Sequence, residues 1–260
     1  MSPTTIPGKL ILAKDYPADA DVKAYVAAVE AADGQALELE VIKAYDNFIL
    51  GCKHDGIWNA IKASCILAGA RTLSGALVPL AGTAPDKYGT EGNWSYNRKT
   101  GLQGDGSTNY LDTNRAENAD PLLNQHLSTY ISVAGTGNQC YIGARGVSST
   151  ASQITYDSGS LYFISRTVAT SLSSVAQLVN FGGLKRNAST VVYRRNGTSS
   201  SGNFGTPASV PDNYFVFNRP NVPLYSNARI AFYSIGEDLD LALLDARVTD
   251  LINAFGVAIP

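Results

Sequence analysis

Imidazole and thiol groups are scarce in this chain: His54 and His126 are its two histidines, and Cys52, Cys65 and Cys140 its three cysteines. Two histidines this far apart give no basis for a histidine acid–base pair. Cys52, His54 and Cys65 lie near one another in sequence, but their spacing matches no familiar zinc pattern, and buried thiols are the simpler reading. There is no G-x-S-x-G elbow, no H-E-x-x-H pair and no phosphate-cradling G-x-x-x-x-G-K. Glycoside hydrolysis needs two carboxyls facing each other across a cleft. Between residues 127 and 218 only Asp157 and Asp212 are acidic, neither beside another acid. Glu237, Asp238 and Asp240 cluster at the start of a helix, where capping accounts for them, and Glu38 and Glu40 fall on an expected helix. No catalytic residue, metal site or cofactor is assigned, and the protein is expected not to be an enzyme.

Binding chemistry is better represented. A sugar is held by an aromatic face against its C–H surface, with Asn, Asp, Arg or Tyr bonding its hydroxyls. Lys87–Tyr96 (KYGTEGNWSY) is a glycine-punctuated loop carrying Tyr88, Trp94 and Tyr96. Gly202–Gly205, with Asn203 and Phe204, and Asn218–Asn221, with Arg219, are similar loops at expected strand ends. Recognition concentrates on loops carried by a rigid scaffold. Tyr88, Trp94, Tyr96, Asn203, Phe204 and Arg219 are therefore the candidate carbohydrate- or receptor-binding residues. The alternative for Trp94 and Tyr96 is that they seal a helical segment against a sandwich. Lys185-Arg186 and Arg194-Arg195 do not form one basic patch, because adjacent residues on a strand point to opposite faces; a solvated hairpin is the plainer account.

The elements that would carry these loops follow from periodicity. Residues 1–18 read as an extended arm, since Pro3, Pro7 and Pro17 block a helix, with Lys9–Ala13 able to form one short strand. Val22, Tyr25, Val26 and Val29 make an apolar helical stripe behind a cap at Asp19, ended by Asp33-Gly34. A second helix is expected from Leu37 to Leu50, stopped by Gly51, and a third from Asp55, with Ile57, Trp58, Ile61, Cys65 and Leu67 on one face. Residues 19–70 thus read as a helical attachment segment, too small to bury much alone. After Gly69 the texture changes to about eleven short β-rich runs between Gly, Asn, Ser and Pro, among them 75–80, 127–134, 175–180, 191–195, 213–218 and 229–235. Strands at this spacing without intervening helices make an antiparallel sandwich, not βαβ units. A last helix, 240–255, is capped by Asp240 and carries Leu241, Leu244, Val248, Leu251, Ile252 and Phe255 on its apolar face.

The chain has 260 residues, room for one large domain or two modest ones; 45% are hydrophobic, as in a packed globular protein. Charged residues make up only 16%, and the net charge is −2, which argues against binding nucleic acid by bulk charge. That near-neutral total hides an asymmetry. Residues 15–55 carry nine acids against three lysines, and residues 141–230 carry eight bases against two acids. Either solvated faces differ by chance, or an acidic end docks head-to-tail on a basic sandwich or an anionic polymer is attracted. No secretory leader is read at the amino terminus, and no run of about 18 apolar residues suggests a membrane span. Three widely spaced cysteines are no disulfide framework, which fits folding in a reducing cytosol.

From about residue 99 the sequence resembles the concanavalin A-like, laminin-G-like jelly-roll family. Gly101–Asp112 (GLQGDGSTNYLD) is similar to that family's first strands, His126–Ala134 (HLSTYISVA) to its next core strand, and Val191–Thr198 (VVYRRNGT) to a hairpin turning on Asn196-Gly197. Asn227–Asp240 (NARIAFYSIGEDLD) is similar to its last strand leading into a closing helix. The resemblance implies a mainly β, concanavalin A-like jelly-roll sandwich over residues 71–260; loop calcium known in the family would fall to Asp105 or Asp112, which no acidic cluster supports. The preceding stretch, Gly51–Trp58 (GCKHDGIW), Leu77–Leu80 (LVPL) and Tyr96–Thr108 (YNRKTGLQGDGST), resembles structural and tail-fibre proteins of tailed bacteriophages. It implies a non-enzymatic fibre or receptor-binding subunit of a virion, assembled in the bacterial host cytoplasm. Residues 1–70 would meet other virion proteins, the sandwich would face host surface glycan, and the subunit would form a homo-oligomer, with a trimer favoured. A capsid or neck decoration protein and a glycan hydrolase or lyase are the alternatives.

Overall fold

The computed structural model describes residues 17–167, 171–172, 176–203 and 206–260. Residues 1–16 of the expected arm, with its short strand, lie outside the described residues, as does Phe204.

Helix α1 (Ala20–Asp33) starts where the Asp19 carboxylate accepts from the amides of Asp21 and Val22, and ends at Gly34 in the left-handed region. Helix α2 (Leu39–His54) does not stop at Gly51. That glycine lies inside the helix, where a Cβ would come within 2.7 Å of Arg247 Nε. The third expected helix is not formed. Trp58–Ala60 make a single 3-10 turn, and Ile61–Ile66 follow as strand β1. This strand is apolar on both sides because it lies between two cores, and such a short run has no periodicity that separates strand from helix. The nine-stranded sheet therefore takes a strand from within the segment expected to be helical.

The short helix α3 (Leu73–Ala76) and β2 (Pro79–Ala81) occupy the expected 75–80 strand. Strands β3 (Asp86–Tyr88), β4 (Ser95–Asn97), β5 (Gly101–Gln103), β6 (Tyr110–Ala116), β7 (Asn124–Val133), β8 (Gln139–Arg145), β9 (Ala151–Asp157) and β10 (Ser160–Thr167) come next. They are followed by β11 (Ser171–Leu172), β12 (Asn180–Asn187), β13 (Thr190–Arg195), β14 (Thr198–Asn203), β15 (Asn213–Val216) and β16 (Arg229–Gly236), and helix α4 (Leu241–Ala258) closes the chain. The expected strand 175–180 is displaced: β12 begins where it was to end. Asn196 and Gly197 both take positive φ in the β13–β14 turn, as a tight primed hairpin requires.

Among the described residues the strands form two antiparallel sheets. One has nine strands in the order β14-β13-β12-β7-β16-β1-β2, with β5 also on β16 and β4 on β5; the other has seven in the order β11-β10-β9-β8-β15-β6-β3. Between them Leu127, Ile131, Leu184 and Ile230 of the first meet Leu111, Ile142, Ile154 and Phe163 of the second. The outer side of the nine-stranded sheet is covered by α1, α2 and α4. Tyr45 packs edge-on against Tyr25 and Phe255, at centroid distances of 5.1 and 5.4 Å, and Phe48 edge-on against Phe232 of β16 at 5.7 Å. Each such buried aromatic contributes about 1.5–3 kcal/mol, and the helical layer and the outer side of the sheet share one hydrophobic core. A bulge in β16 between Ile230 and Phe232 sends Phe232 to the helices and Tyr233 and Ile235 to the inner core. Gly69, at φ +88°, lets the Tyr45 hydroxyl and the Phe255 ring come within 2.7 Å of where a Cβ would stand. Among the described residues no helix is long and apolar enough to cross a membrane.

Candidate functional site

The helices do not reach the outer face of the seven-stranded sheet; the Arg219 loop covers β8 and β9 there, with Cys140 and Gln153 buried beneath it, and the β3–β6–β15 end carries an aromatic stack. Alternation turns Leu111 and Val216 inward and Tyr110 and Phe215 outward. Tyr88 pairs with Tyr110 across β3 and β6, rings 4.9 Å apart and 8° from parallel. Phe215 stacks on the other side of Tyr110 at 4.6 Å, and Tyr225 leans toward it at 6.4 Å. Both faces of Tyr110 are thus taken, so it offers an edge and a hydroxyl. Tyr88, on the edge strand and 45% exposed, is the end plate with one ring face open to solvent. Burial and the neighbouring Tyr88, Tyr225 and Asp112 raise the Tyr110 phenol above its ordinary pKa, which keeps it a neutral hydrogen-bonding group.

A polar row runs beside the stack. Asp86 and Asp112 are paired across the same two strands. Asn114 Nδ2 donates to Asp86 Oδ2 at 3.0 Å and its backbone amide to Asp112 Oδ1 at 2.9 Å, while Asn213 Nδ2 donates to Asp112 Oδ1 at 3.0 Å. Asn221 Nδ2 extends the row by donating to Asp212 Oδ1 at 2.9 Å. The carboxylates are therefore fixed by amides, leaving lone pairs for hydroxyl donors. The loop behind β3 is clamped by Asn109, which accepts from the Thr90 amide at 3.0 Å and donates to the Thr90 carbonyl at 3.2 Å. Asp105 organises the facing loop. Burial would raise its pKa, but bonds from the Thr108 hydroxyl and the Thr108, Asn109 and Ser107 amides outweigh that and hold it well below the usual carboxylate range.

Tyr88, Trp94, Tyr96 and Arg219, of the six sequence-predicted residues, do not converge on one surface. Tyr88 belongs to the platform. Trp94 packs edge-on against Phe217 at 5.5 Å, its indole N–H buried without a hydrogen-bond partner. Tyr96 donates to the Ala70 carbonyl at 2.7 Å and touches both cores, as a seal between helices and sandwich would. Asn203 lies at the end of edge strand β14, opposite Thr190. Phe204 is outside the described residues. Arg219 is buried, its Nε donating to the Val222 carbonyl at 2.9 Å and its Nη1 to Gln153 Oε1 at 3.1 Å. Tyr110, Phe215 and Tyr225, which complete the stack, were not singled out from the sequence.

The uneven charge is largely consumed internally. Asp55 pairs with Arg247, Glu38 with Arg71 and Arg98, Lys185 with Asp238, and Arg194 with Asp245. The expected solvated hairpin is a correction too: Arg186 is fully buried between the sheets, donating to the Ser165 hydroxyl and carbonyl. Beside it Arg166 Nε donates to Glu117 Oε1 at 2.7 Å, and Glu117 also accepts from Ser152 Oγ and the Val210 amide. Cys52, Cys65 and Cys140 are buried free thiols, pushed up to about 12 by burial. Among the described residues no group of three His, Cys, Asp or Glu side chains could hold a metal ion.

No protein-family model matches the sequence, and no curated protein aligns with it. The fold is nevertheless shared by solved structures. The receptor-binding domain of a botulinum neurotoxin mosaic of serotypes C and D overlaps with a TM-score of 0.52 at 15% identity, over 74% of this chain and 50% of that one. A botulinum neurotoxin type C structure, described as dependent on two ganglioside molecules for entering cells, overlaps at 0.50 and 13% identity over 76% and 51%. Trypanosoma rangeli sialidase in complex with sialic acid overlaps at 0.48 and 11% identity over 75% and 33%. The chain spans about half the length of the neurotoxin chains it matches. At these identities the likeness establishes a two-sheet antiparallel β-sandwich.

Proposed function

We propose that this chain is a carbohydrate-binding module whose binding surface is the Tyr88–Tyr110–Phe215 platform. The observation that carries the reading is the exposed Tyr88 ring at the sheet edge beside a row of amide-fixed carboxylates and tyrosine hydroxyls. That combination supplies a stacking plate and directional acceptors, the two things a pyranose ring needs. One matched neurotoxin structure is a receptor-binding domain and another is described with two ganglioside molecules on which cell entry depends, which supports a glycan ligand for a chain of this fold. The finer reading is a non-enzymatic receptor-binding subunit of a tailed-phage virion, a homo-oligomer with a trimer favoured, contacting other virion proteins through residues 1–70. Its support is the sequence resemblance described above. One shallow platform binds a sugar weakly, and repetition on a particle multiplies the effect by avidity.

The test is a glycan array probed with the purified protein displayed multivalently, alongside Tyr88→Ala. Loss of one stacking face is worth about 1–1.5 kcal/mol, roughly 10-fold in affinity. Binding that is unchanged in Tyr88→Ala moves the site elsewhere; no binding to any glycan leaves a purely structural sandwich.

A further inference from the structure

On the opposite face of the molecule a cleft of about 470 Å³ opens between α4 and the β12–β13–β14 side of the nine-stranded sheet. Its volume is in the range of small-molecule sites. The floor is aromatic: Tyr130 and Phe181, both buried, with the Tyr130 hydroxyl donating to Asn180 Oδ1 at 3.3 Å. One wall is fixed by an ion pair between the two elements, in which Arg194 Nε donates to Asp245 Oδ2 at 2.7 Å. Asp245 Oδ1 accepts in turn from Thr249 one turn along the helix, at 3.2 Å. Two carboxamides line the cleft from either side, Asn253 on α4 and Asn196 in the β13–β14 turn. Neither has a hydrogen-bond partner among the described residues.

We infer that this cleft is a second saccharide site, independent of the platform, that takes a single neutral sugar ring. Each free carboxamide offers one acceptor and two donors, the pattern that vicinal hydroxyls satisfy in both directions. Ala246 and Gly197, exposed on the two walls above the buried floor, provide the apolar contact for the ring's C–H face. The guanidinium and carboxylate neutralise each other, and the remaining charge at the rim is that of Asp250, so an anionic sugar is disfavoured. The class of ligand rests on the carbohydrate reading above; the site itself does not use the platform. Each chain then carries two sites on opposite faces and can bridge two glycan chains.

The experiment is a titration of the whole, isotopically labelled chain with methyl glycosides of glucose, galactose, mannose and N-acetylglucosamine, followed by backbone amide shifts. Saturable shifts are expected in residues 194–197 and 246–253. They should persist in Tyr88→Ala and weaken at least 10-fold in Asn253→Ala and in Ala246→Phe, which fills the cleft from the exposed side of α4. Saturable shifts around Tyr88 and Tyr110 with none at 194–197 or 246–253 overturn the second site and leave the platform standing. Shifts at 246–253 that survive Ala246→Phe also overturn it. Shifts only at the cleft uphold it and remove the platform.

Discussion

As pH falls below 6.5, His126 should be a first source of acid destabilisation in this protein. The imidazole is fully buried where β7 meets the end of β16. Nδ1 stands 2.5 Å from the Glu237 carbonyl, which can only accept, so Nδ1 carries the proton; Nε2 then accepts from the Ser234 hydroxyl at 2.7 Å. Both nitrogens are satisfied in the neutral ring. Burial lowers the pKa to about 4, against a small opposing effect of the Glu237 carbonyl and Asp238 and with Arg115 reinforcing it. Above pH 6.5 the ring is neutral folded and unfolded, and its full contribution to stability is present. Below 6.5 the unfolded chain takes up a proton that the folded one refuses, so stability falls as pH falls, by about 1.4 kcal/mol per pH unit. Between pH 6.5 and 4 the loss is about 3 kcal/mol. Urea unfolding at half-unit steps of pH, for the natural protein and His126→Asn, isolates this from the carboxylates, which both proteins share. The variant should be less stable at pH 7, and the gap should close by about 2 kcal/mol by pH 5. A gap that stays constant across that range refutes the assignment of a neutral buried imidazole.

Two further outcomes follow from the interior. Glu117→Ala leaves Arg166 charged in the core beside Arg186, which should cost about 3–5 kcal/mol and lower Tm by roughly 2–4 °C per kcal/mol; a loss below about 1 kcal/mol in thermal and urea unfolding would show that other groups neutralise Arg166. The three cysteines should resist a thiol reagent at pH 8 in the folded protein and all react in denaturant, because burial both excludes the reagent and withholds the thiolate; rapid labelling of the native protein would mean that the core opens readily.

The sandwich was legible in the sequence where apolar residues alternate with small or polar ones, as in Leu127–Val133 and Arg229–Ile235, although the helices bury the second face of these strands as well. It was not legible where a short run shows no such alternation. Ile61–Ile66 has apolar groups on each side, and that pattern suits a helix as well as a central strand. Strand β12 begins where the sequence places the end of a strand, because Gly182-Gly183 supplies no side chains to continue an apolar alternation. In the fold these glycines make room for Leu178, Phe181 and Leu241, whose atoms come within about 3 Å of the missing Cβ positions. Strand β14 is a Ser- and Gly-rich edge with no apolar alternation to announce it. The platform was half visible. Tyr88 was found, and the alternation of Tyr110-Leu111 and Phe215-Val216 was readable. That β3, β6 and β15 lie side by side is a property of sheet order, which spacing along the chain does not encode. Arg219 stands beside Pro220 and Asn221 as a loop group does, yet that loop folds back onto the sheet and uses the guanidinium as its internal tie.

Strand β1 can pair with β16 only after some 170 further residues have been synthesised, and α2 finds its partner α4 later still. At roughly 5–20 residues per second a nascent chain holds those apolar surfaces open for about 10–35 s. Completion of the fold therefore waits on the last strand and helix and has high contact order, slow by the standards of small domains. During that interval the chain depends on whatever holds its exposed surfaces apart from those of its neighbours on the same message.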